Sequence, residues 1–542
     1  MPLSRQDKDY LLPDITPINP TIVDIDRVFT NLLPLLKYDG APITSGKKRR
    51  VLVTIKDLAS KVCGVDSLHF VGFSEHSQIV SHWLESDFLS LVHRGKEGKQ
   101  RVAAPLPLHL NTYKLRNPRY CRDYGVADQI FGMLYHGSPD VAKELRDYLF
   151  SGADYYTDHY DSETPLDIES LLMMRILDQA APDYPDAKKK RDIPYPLCIG
   201  QARVMGDDIS RLLAYRDAVP RLVLIDHIKS VMALHVGIYM LRLFQLVPDL
   251  VAREARHSVC SNCPVHGRSP KLFDVCAFPV DLVADMGEDY RQHMSGLGRQ
   301  QFSTHLGQLN NYVRAHITIK KLQEFADDLV MRGCIARPQT FAQILALRHY
   351  DDPMELRTFF GIRIQSLLGT DEGEPDARLV ALRRLGLGEL ETYVEMVYLL
   401  RQSFHHKYYT QLLDSLFQKN RKGGLMRQGY GRINKRRYAL SSGLMETLVQ
   451  MALLQRETDG SKLTRSIRVE DFIEWIRARY GIYVGSLPGG HEYSITDLGA
   501  LRLNVQHFQD RLREIGYYTD LSDAYVAQVI RPRYHIEQEE LV

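Results

Sequence analysis

One stretch limits what this chain can become more than any other. Between Lys419 and Tyr534 a basic, glycine-rich loop leads into three amphipathic segments and then an alternating ribbon. The loop reads KNRKGGLMRQGYGRINKRRY, from Lys419 to Tyr438. Ser441 or Ser442 can cap a helix that runs through Leu444, Leu448, Met451 and Ala452. The next segment, Val469 to Tyr480, sets Val469, Phe472, Ile473, Ile476 and Tyr480 on one helical face, and Gly481 is placed to stop it. A third helix is expected from a cap at Asp497, with Leu501, Val505, Phe508, Leu512 and Ile515 inward and Gly516 at its end. The ribbon, 525–534, closes on Arg531-Pro-Arg533. Three helices and a ribbon in this order predict a winged-helix domain, whose third helix would enter a major groove.

Charge is placed to match. Residues 401–440 carry ten Lys/Arg and one acid, Asp414. That local +9 leaves −7 on the remainder of a chain whose formal charge is +2. Such segregation points to a local anionic partner, and double-stranded DNA is the partner expected here. The contact residues expected in the loop are Lys419, Arg421, Lys422, Arg427, Arg432, Lys435, Arg436 and Arg437. Gly423, Gly424, Gly429 and Gly431 would let backbone approach phosphates, and Tyr430 and Tyr438 could stack on bases. On the third helix Arg502, Gln506, Gln509 and Arg513 share the face opposite the apolar stripe, where Arg and Gln can read base edges or hold phosphates. Arg531 and Arg533 would sit in the wing. The competing reading is a solvated loop and a helical unit that docks a protein, since an exposed helix face is ordinarily polar.

A second cluster concerns metal. Cys260, Cys263, His266 and Cys276 have the spacing C-x2-C-x2-H-x9-C, with Pro264, Gly267 and Pro270 to supply turns. Thiolate and imidazole ligands favour a tetrahedral zinc ion, and four protein ligands would make it structural. His257 is the alternative nitrogen ligand. The other reading is a loop with ordinary buried cysteines. Cys63, Cys121, Cys198 and Cys334 are isolated in sequence and read as packing residues.

The remainder reads as mainly α with few strands. A length of 542 residues allows three or four domains. We expect an N-terminal, mostly helical domain with short strands (1–160), a central helical domain holding the Cys/His cluster (161–369), a helical connector with the basic loop (377–440) and the winged-helix domain (441–542). Helices are expected over 22–36, 54–65, 74–93, 127–150, 167–179, 209–257, 289–333 and 378–417. The apolar run Val231–Val247 is interrupted by His235 and Arg242, so it reads as a buried helix and not a membrane span. The charged start MPLSRQDKDY and an odd number of cysteines, seven, point to the cytoplasm.

Catalytic signatures are missing. GAPITSGKK (40–48) resembles a phosphate loop, but five residues separate its glycines and no Ser/Thr follows the lysine. Asp226, His227 and His235 read as buried structural polar groups, and His405-His406 point about 100° apart on a helix, so one metal cannot easily take both.

The runs GGLMRQGYGRINKRRYALSSGLMETLVQMALL, EDFIEWIRARYGI and LREIGYYTDLSDAYVAQVIRPRY resemble the C-terminal parts of large proteins encoded in bacterial anti-phage defence operons, of the methylation-associated and Druantia types. The resemblance implies an accessory subunit working beside separate helicase, ATPase or nuclease proteins, and it carries over no catalytic residues. The expected function is a non-catalytic DNA-binding subunit of such a system. The alternatives are a scaffold whose C-terminal domain docks a partner, and an enzyme with an unrecognised site.

Overall fold

A 32-residue helix, Arg221–Ala252, runs through the middle of the protein. It is apolar on every side, so it can be stable only when covered all round. The helices Ile199–Leu213, His293–Met331, Glu389–Leu416 and Ser442–Leu453 cover it. By length and composition it could cross a membrane, but 89% of its apolar window is buried inside the protein. This architecture comes from a computed structural model that describes residues 3–41, 54–64, 71–92, 101–154, 159–161, 163–164, 166–180, 192–254, 263, 265, 275–369, 376–429, 435–456, 461–489, 492–518 and 529–536.

The protein is mainly helical, as expected. Around the central helix one continuous apolar cluster of described residues extends from Tyr10 to Ile536. A smaller cluster of Val283, Met294, Tyr483, Leu487 and Leu501 joins the His293–Met331 helix to the C-terminal region.

Three helical expectations are corrected. The stretch 74–93 is not one helix: Ser77–Trp83 is helical, Leu84–Phe88 is a π turn, and Leu89–Val92 is a strand paired antiparallel with Arg101–Pro105. A buried/half-buried alternation of only four residues is too short to announce that strand. The stretch 127–150 is two helices, Val126–Gly137 and Pro139–Phe150. Pro139 lacks an N–H and pushes Ser138 out of helical geometry, to ψ 71°. The stretch 378–417 is also divided, into Ala377–Arg383 and Glu389–Leu416, with Gly386 at φ +69° between them.

In the C-terminal region the three helices lie where periodicity placed them: Ser442–Leu453, Val469–Tyr480 and Ile495–Glu514. Gly481 takes the left-handed conformation at φ +72° and ends the second, and Gly516 at φ +77° follows the third. The third helix is capped by Ser494 and not by Asp497. Ser494 Oγ accepts the Asp497 N–H at 3.1 Å, and the Asp497 carboxylate accepts the Ser494 N–H at 2.9 Å, a reciprocal capping box. Within the expected ribbon, Val529–Ile530 pairs antiparallel with Ile467–Arg468, the strand just before the second helix; 525–528 lie outside the described residues.

Two long-range ties fix this region to the body. Leu282–Val283 pairs in parallel with Ile482–Tyr483. Asn504, 1% exposed, holds that junction. Its Nδ2 donates to Ala284 O at 2.9 Å and Val484 O at 2.8 Å, and its Oδ1 accepts the Met286 N–H at 2.8 Å. The second tie is a seam of buried charge. Asp208 accepts Arg479 Nε at 2.8 Å and Nη2 at 2.5 Å, the Tyr480 hydroxyl at 2.7 Å and His235 Nε2 at 2.8 Å. Asp207 binds Arg479 at 2.7 Å, Arg211 at 2.9 Å and Arg456 at 2.9 Å. Burial alone would raise the Asp208 carboxyl, but Arg479 and His235 outweigh it and hold the group far below the usual carboxylate range. Burial keeps His235 neutral; Gln201 Nε2 donates to its Nδ1 at 2.5 Å, so the ring proton sits on Nε2, facing Asp208. His235 is thus the buried structural group expected.

Candidate nucleic-acid interface

The basic loop is a hairpin. Met426–Arg427 pairs antiparallel with Arg437–Tyr438, and the tip at 430–434, including Tyr430 and Arg432, lies outside the described residues. The glycines at its base have a packing role. A Cβ on Gly424 would lie 2.1 Å from Gln418 O, and one on Gly423 would lie 2.4 Å from Ser230 Oγ. Close approach of the loop to the central helix at Gly423, and to the backbone just past the Glu389–Leu416 helix at Gly424, accounts for them. Tyr438 is not a stacking platform: it is fully buried, and its hydroxyl is hydrogen-bonded to His305 Nδ1 at 2.8 Å.

The loop cations divide into classes that sequence does not distinguish. Lys419 and Arg436 share Asp414, at 2.5 and 2.7 Å, so the single local acid is used twice. Arg421 reaches Asp24 at 3.4 Å while staying largely exposed. Arg437 is buried and bonds Asp285 Oδ2 at 2.7 Å, where Ser295 Oγ also donates. Arg437 is therefore a structural residue. Arg427 is half-buried; burial, then Arg511 and Arg437, push its guanidinium below its ordinary value. Lys422 and Lys435 are exposed and have no carboxylate partner among the described residues.

On the third helix Arg502, Gln506 and Arg513 are exposed and Gln509 is half-buried, opposite a buried face of Leu501, Asn504, Phe508 and Leu512. Arg513 binds Asp510 one turn away. Arg502 has no carboxylate partner among the described residues, and neither has exposed Arg531. Arg533 is held by Glu446 at 2.7 Å and lies over the Tyr517 ring at 4.5 Å. The same face begins with exposed apolar side chains, Ile495 (91%) and Leu498 (56%).

Beneath the loop is a cavity of about 320 Å³, lined among others by Asp26, Asp226, His227, Lys229, Lys422 and Glu446. Lys229 already bridges Asp26 and Asp226, each at 2.6 Å. Thr447 Oγ1 donates to Gly443 O at 2.8 Å, so it must accept from His227 Nδ1 at 2.5 Å. That leaves His227 Nε2 as a bare acceptor with no partner among the described residues.

Of the expected metal ligands, Cys263 and Cys276 are described, and Cys260 and His266, like His257, lie outside the described residues. Among the described residues no group of three His, Cys, Asp or Glu side chains already stands in position to hold a metal ion. Sequence reasoning missed Asn504, Asp208 and Arg479. A buried arginine carries no local signature, and only its distant carboxylate reveals it.

Fold and surface together define a large helical protein whose C-terminal region is tied tightly to its body. The chain matches, over residues 5–534, the family described as methylation-associated defense system protein MAD7. It belongs to that family, and so is a component of an anti-phage defence system. No match to it was found among curated proteins or solved structures.

Proposed function

We propose that this defence component is a DNA-contacting subunit without chemistry of its own, working beside the helicase, ATPase or nuclease subunits of its system in the cytoplasm. One observation carries the reading: the basic segment contains a single acid, Asp414, already shared by two cations. Lys422, Lys435, Arg502 and Arg531 then remain exposed and uncompensated among the described residues, and a polyanion is what such a surface lacks. A winged-helix reading of the last hundred residues supports it, because the strand before the second helix pairs with the strand after the third. The third helix then presents Arg502, Gln506 and Arg513 outward. The test is an electrophoretic shift titration with duplex DNA at low and at moderate salt. Binding that weakens steeply with salt, and that weakens further in an Arg502→Glu/Arg531→Glu variant, is expected. No binding at low salt overturns the proposal.

A second reading rests on Ile495 and Leu498, which start the same helix face exposed and apolar. Such side chains suit a protein partner. Ile495→Asp with Leu498→Asp would then abolish co-purification with a neighbouring subunit while DNA binding persists.

A further inference from the structure

The cavity beneath the basic loop has walls that differ in kind. The central helix contributes Asp226, His227 and Lys229, the Ser442–Leu453 helix contributes Glu446, and the loop contributes Arg421 and Lys422. Counted as charges, the lining is balanced: Asp26, Asp226 and Glu446 stand against Lys229, Arg421 and Lys422. The balance hides an asymmetry. On the helix side the one cation is already paired, since Lys229 bridges Asp26 and Asp226. Acceptors are left over there. Asp226 uses Oδ1 on Lys229 and Glu446 uses Oε1 on Arg533, so each keeps a second oxygen. His227, 6% exposed, adds its bare Nε2, because its Nδ1 proton goes to Thr447. Burial lowers the basicity of that ring and keeps it neutral, able to accept. A buried acceptor with no donor is costly, so a ligand that donates to it regains a missing bond.

The loop side is the reverse. Lys422 has no carboxylate partner among the described residues, yet its backbone is fixed. Its carbonyl accepts the Gly443 N–H at 3.0 Å and the Ser441 hydroxyl at 2.5 Å. A Cβ on Gly443 would lie 2.7 Å from that carbonyl, so the contact needs a glycine. Gln418 Nε2 holds the next residue through Gly423 O at 3.3 Å. The cation is thus set over the cavity before any ligand arrives, which lowers the ordering cost of binding. Arg421 stands beside it, reaching Asp24 only at 3.4 Å.

These walls select a ligand. A bare anion would meet the carboxylates of the helix side. A cation would meet Lys229, Arg421 and Lys422. An uncharged molecule would leave Lys422 without a partner. One molecule with hydroxyl donors at one end and a phosphate at the other satisfies both sides. Among the described residues no Phe, Tyr or Trp lines the cavity, so no such ring is offered for a base to stack on. Its volume of about 320 Å³ is at the lower end of ordinary ligand sites, room for a sugar and its phosphate.

We propose that this cavity binds a small sugar phosphate, its phosphate on Lys422 and Arg421 and its hydroxyls donating to His227 Nε2 and to the Asp226 and Glu446 carboxylates. Binding is reversible and makes or breaks no covalent bond. The site is independent of the DNA reading, because Arg502 and Arg531 do not line it.

The test is calorimetric titration of the purified full-length chain with ribose 5-phosphate. Saturable binding of one molecule per chain is expected. Ribose and inorganic phosphate each present half of the ligand and should bind at least about 10-fold more weakly. Lys422→Ala should weaken ribose 5-phosphate about 10-fold or more, through the lost charge-assisted bond. His227→Asn keeps a donor for Thr447 and removes Nε2. It should weaken ribose 5-phosphate while leaving the affinity for inorganic phosphate unchanged, a split that a merely structural histidine would not produce. Arg502→Glu with Arg531→Glu should leave the titration unchanged while DNA binding falls, which separates this site from that reading. No binding up to about 10 mM overturns the proposal. So does inorganic phosphate that binds as tightly as ribose 5-phosphate, or an unchanged affinity in Lys422→Ala. Should His227→Asn fail to fold, Lys422→Ala decides, since that side chain is exposed.

Discussion

Arg436 and Arg437 are neighbours in the chain and opposites in the fold. Arg436 lies at the surface, sharing Asp414 with Lys419, and Arg437 lies inside, closing on Asp285 and Ser295. The same contrast divides the C-terminal region as a whole. Arg479 is fully buried between Asp207 and Asp208, whereas Arg502, on the next helix, faces outward with no carboxylate among the described residues. A cation in a run is thus two different objects, and only the position of a distant acid tells them apart. Inside, the charge holds elements together and tolerates no loss. Outside, it leaves stability almost untouched and is available to a ligand.

Acid should strain this contrast most. Burial lowers His305 and His316 to about 4, and burial likewise lowers His405 to about 3. In the unfolded chain these rings take up protons near their ordinary 6.5, so that state gains protons first as pH falls. Stability is intact above about 6.5 and is lost down to about 4, by roughly 3 kcal/mol for each of His305 and His316. Chemical denaturation followed between neutral pH and pH 4 measures it; a flat profile would mean those rings are not buried neutral.

Removing a cation from the interior comes next. Arg479→Met should cost about 3–5 kcal/mol, because Asp208 is left charged and buried. Arg437→Ala should cost a comparable amount, against less than about 1 kcal/mol for Arg436→Ala, whose partner keeps Lys419. Equal effects at 436 and 437 would dissolve the distinction. Asn504→Ala should cost about 2–3 kcal/mol through the Met286 N–H and the two carbonyls it abandons, read as a lowered denaturation midpoint. Smallest of all, Arg502→Glu should shift stability by no more than about 0.5 kcal/mol. Its effect should show in DNA affinity, with the salt slope reduced by about 1.

Local periodicity made the helices legible. The stripe of Phe472, Ile476 and Tyr480 and the stop at Gly481 are short-range patterns, and each is found where it was read. What was not legible is whatever needs a partner far away. Asp285 stands 152 residues from Arg437, and Asp208 stands 271 from Arg479, so no window of sequence could reveal either pair. Gly423 and Gly424 looked like phosphate-binding glycines because the sequence does not show Ser230 or the Gln418 carbonyl pressing on them. Helix starts suffered a smaller error: in SITD (494–497) both the serine and the aspartate are good caps, and only geometry shows that the serine leads and the aspartate answers it.

The parallel pairing of Leu282–Val283 with Ile482–Tyr483 has a temporal consequence. During translation the first strand must wait about 200 residues for its partner, and Ile467–Arg468 waits about 60 more residues for Val529–Ile530. Until nearly the last of these residues has left the ribosome, the outward-facing arginines have no fixed arrangement. A polypeptide ended before Val529 would therefore lack this pairing, and its outward-facing arginines would not be held in place.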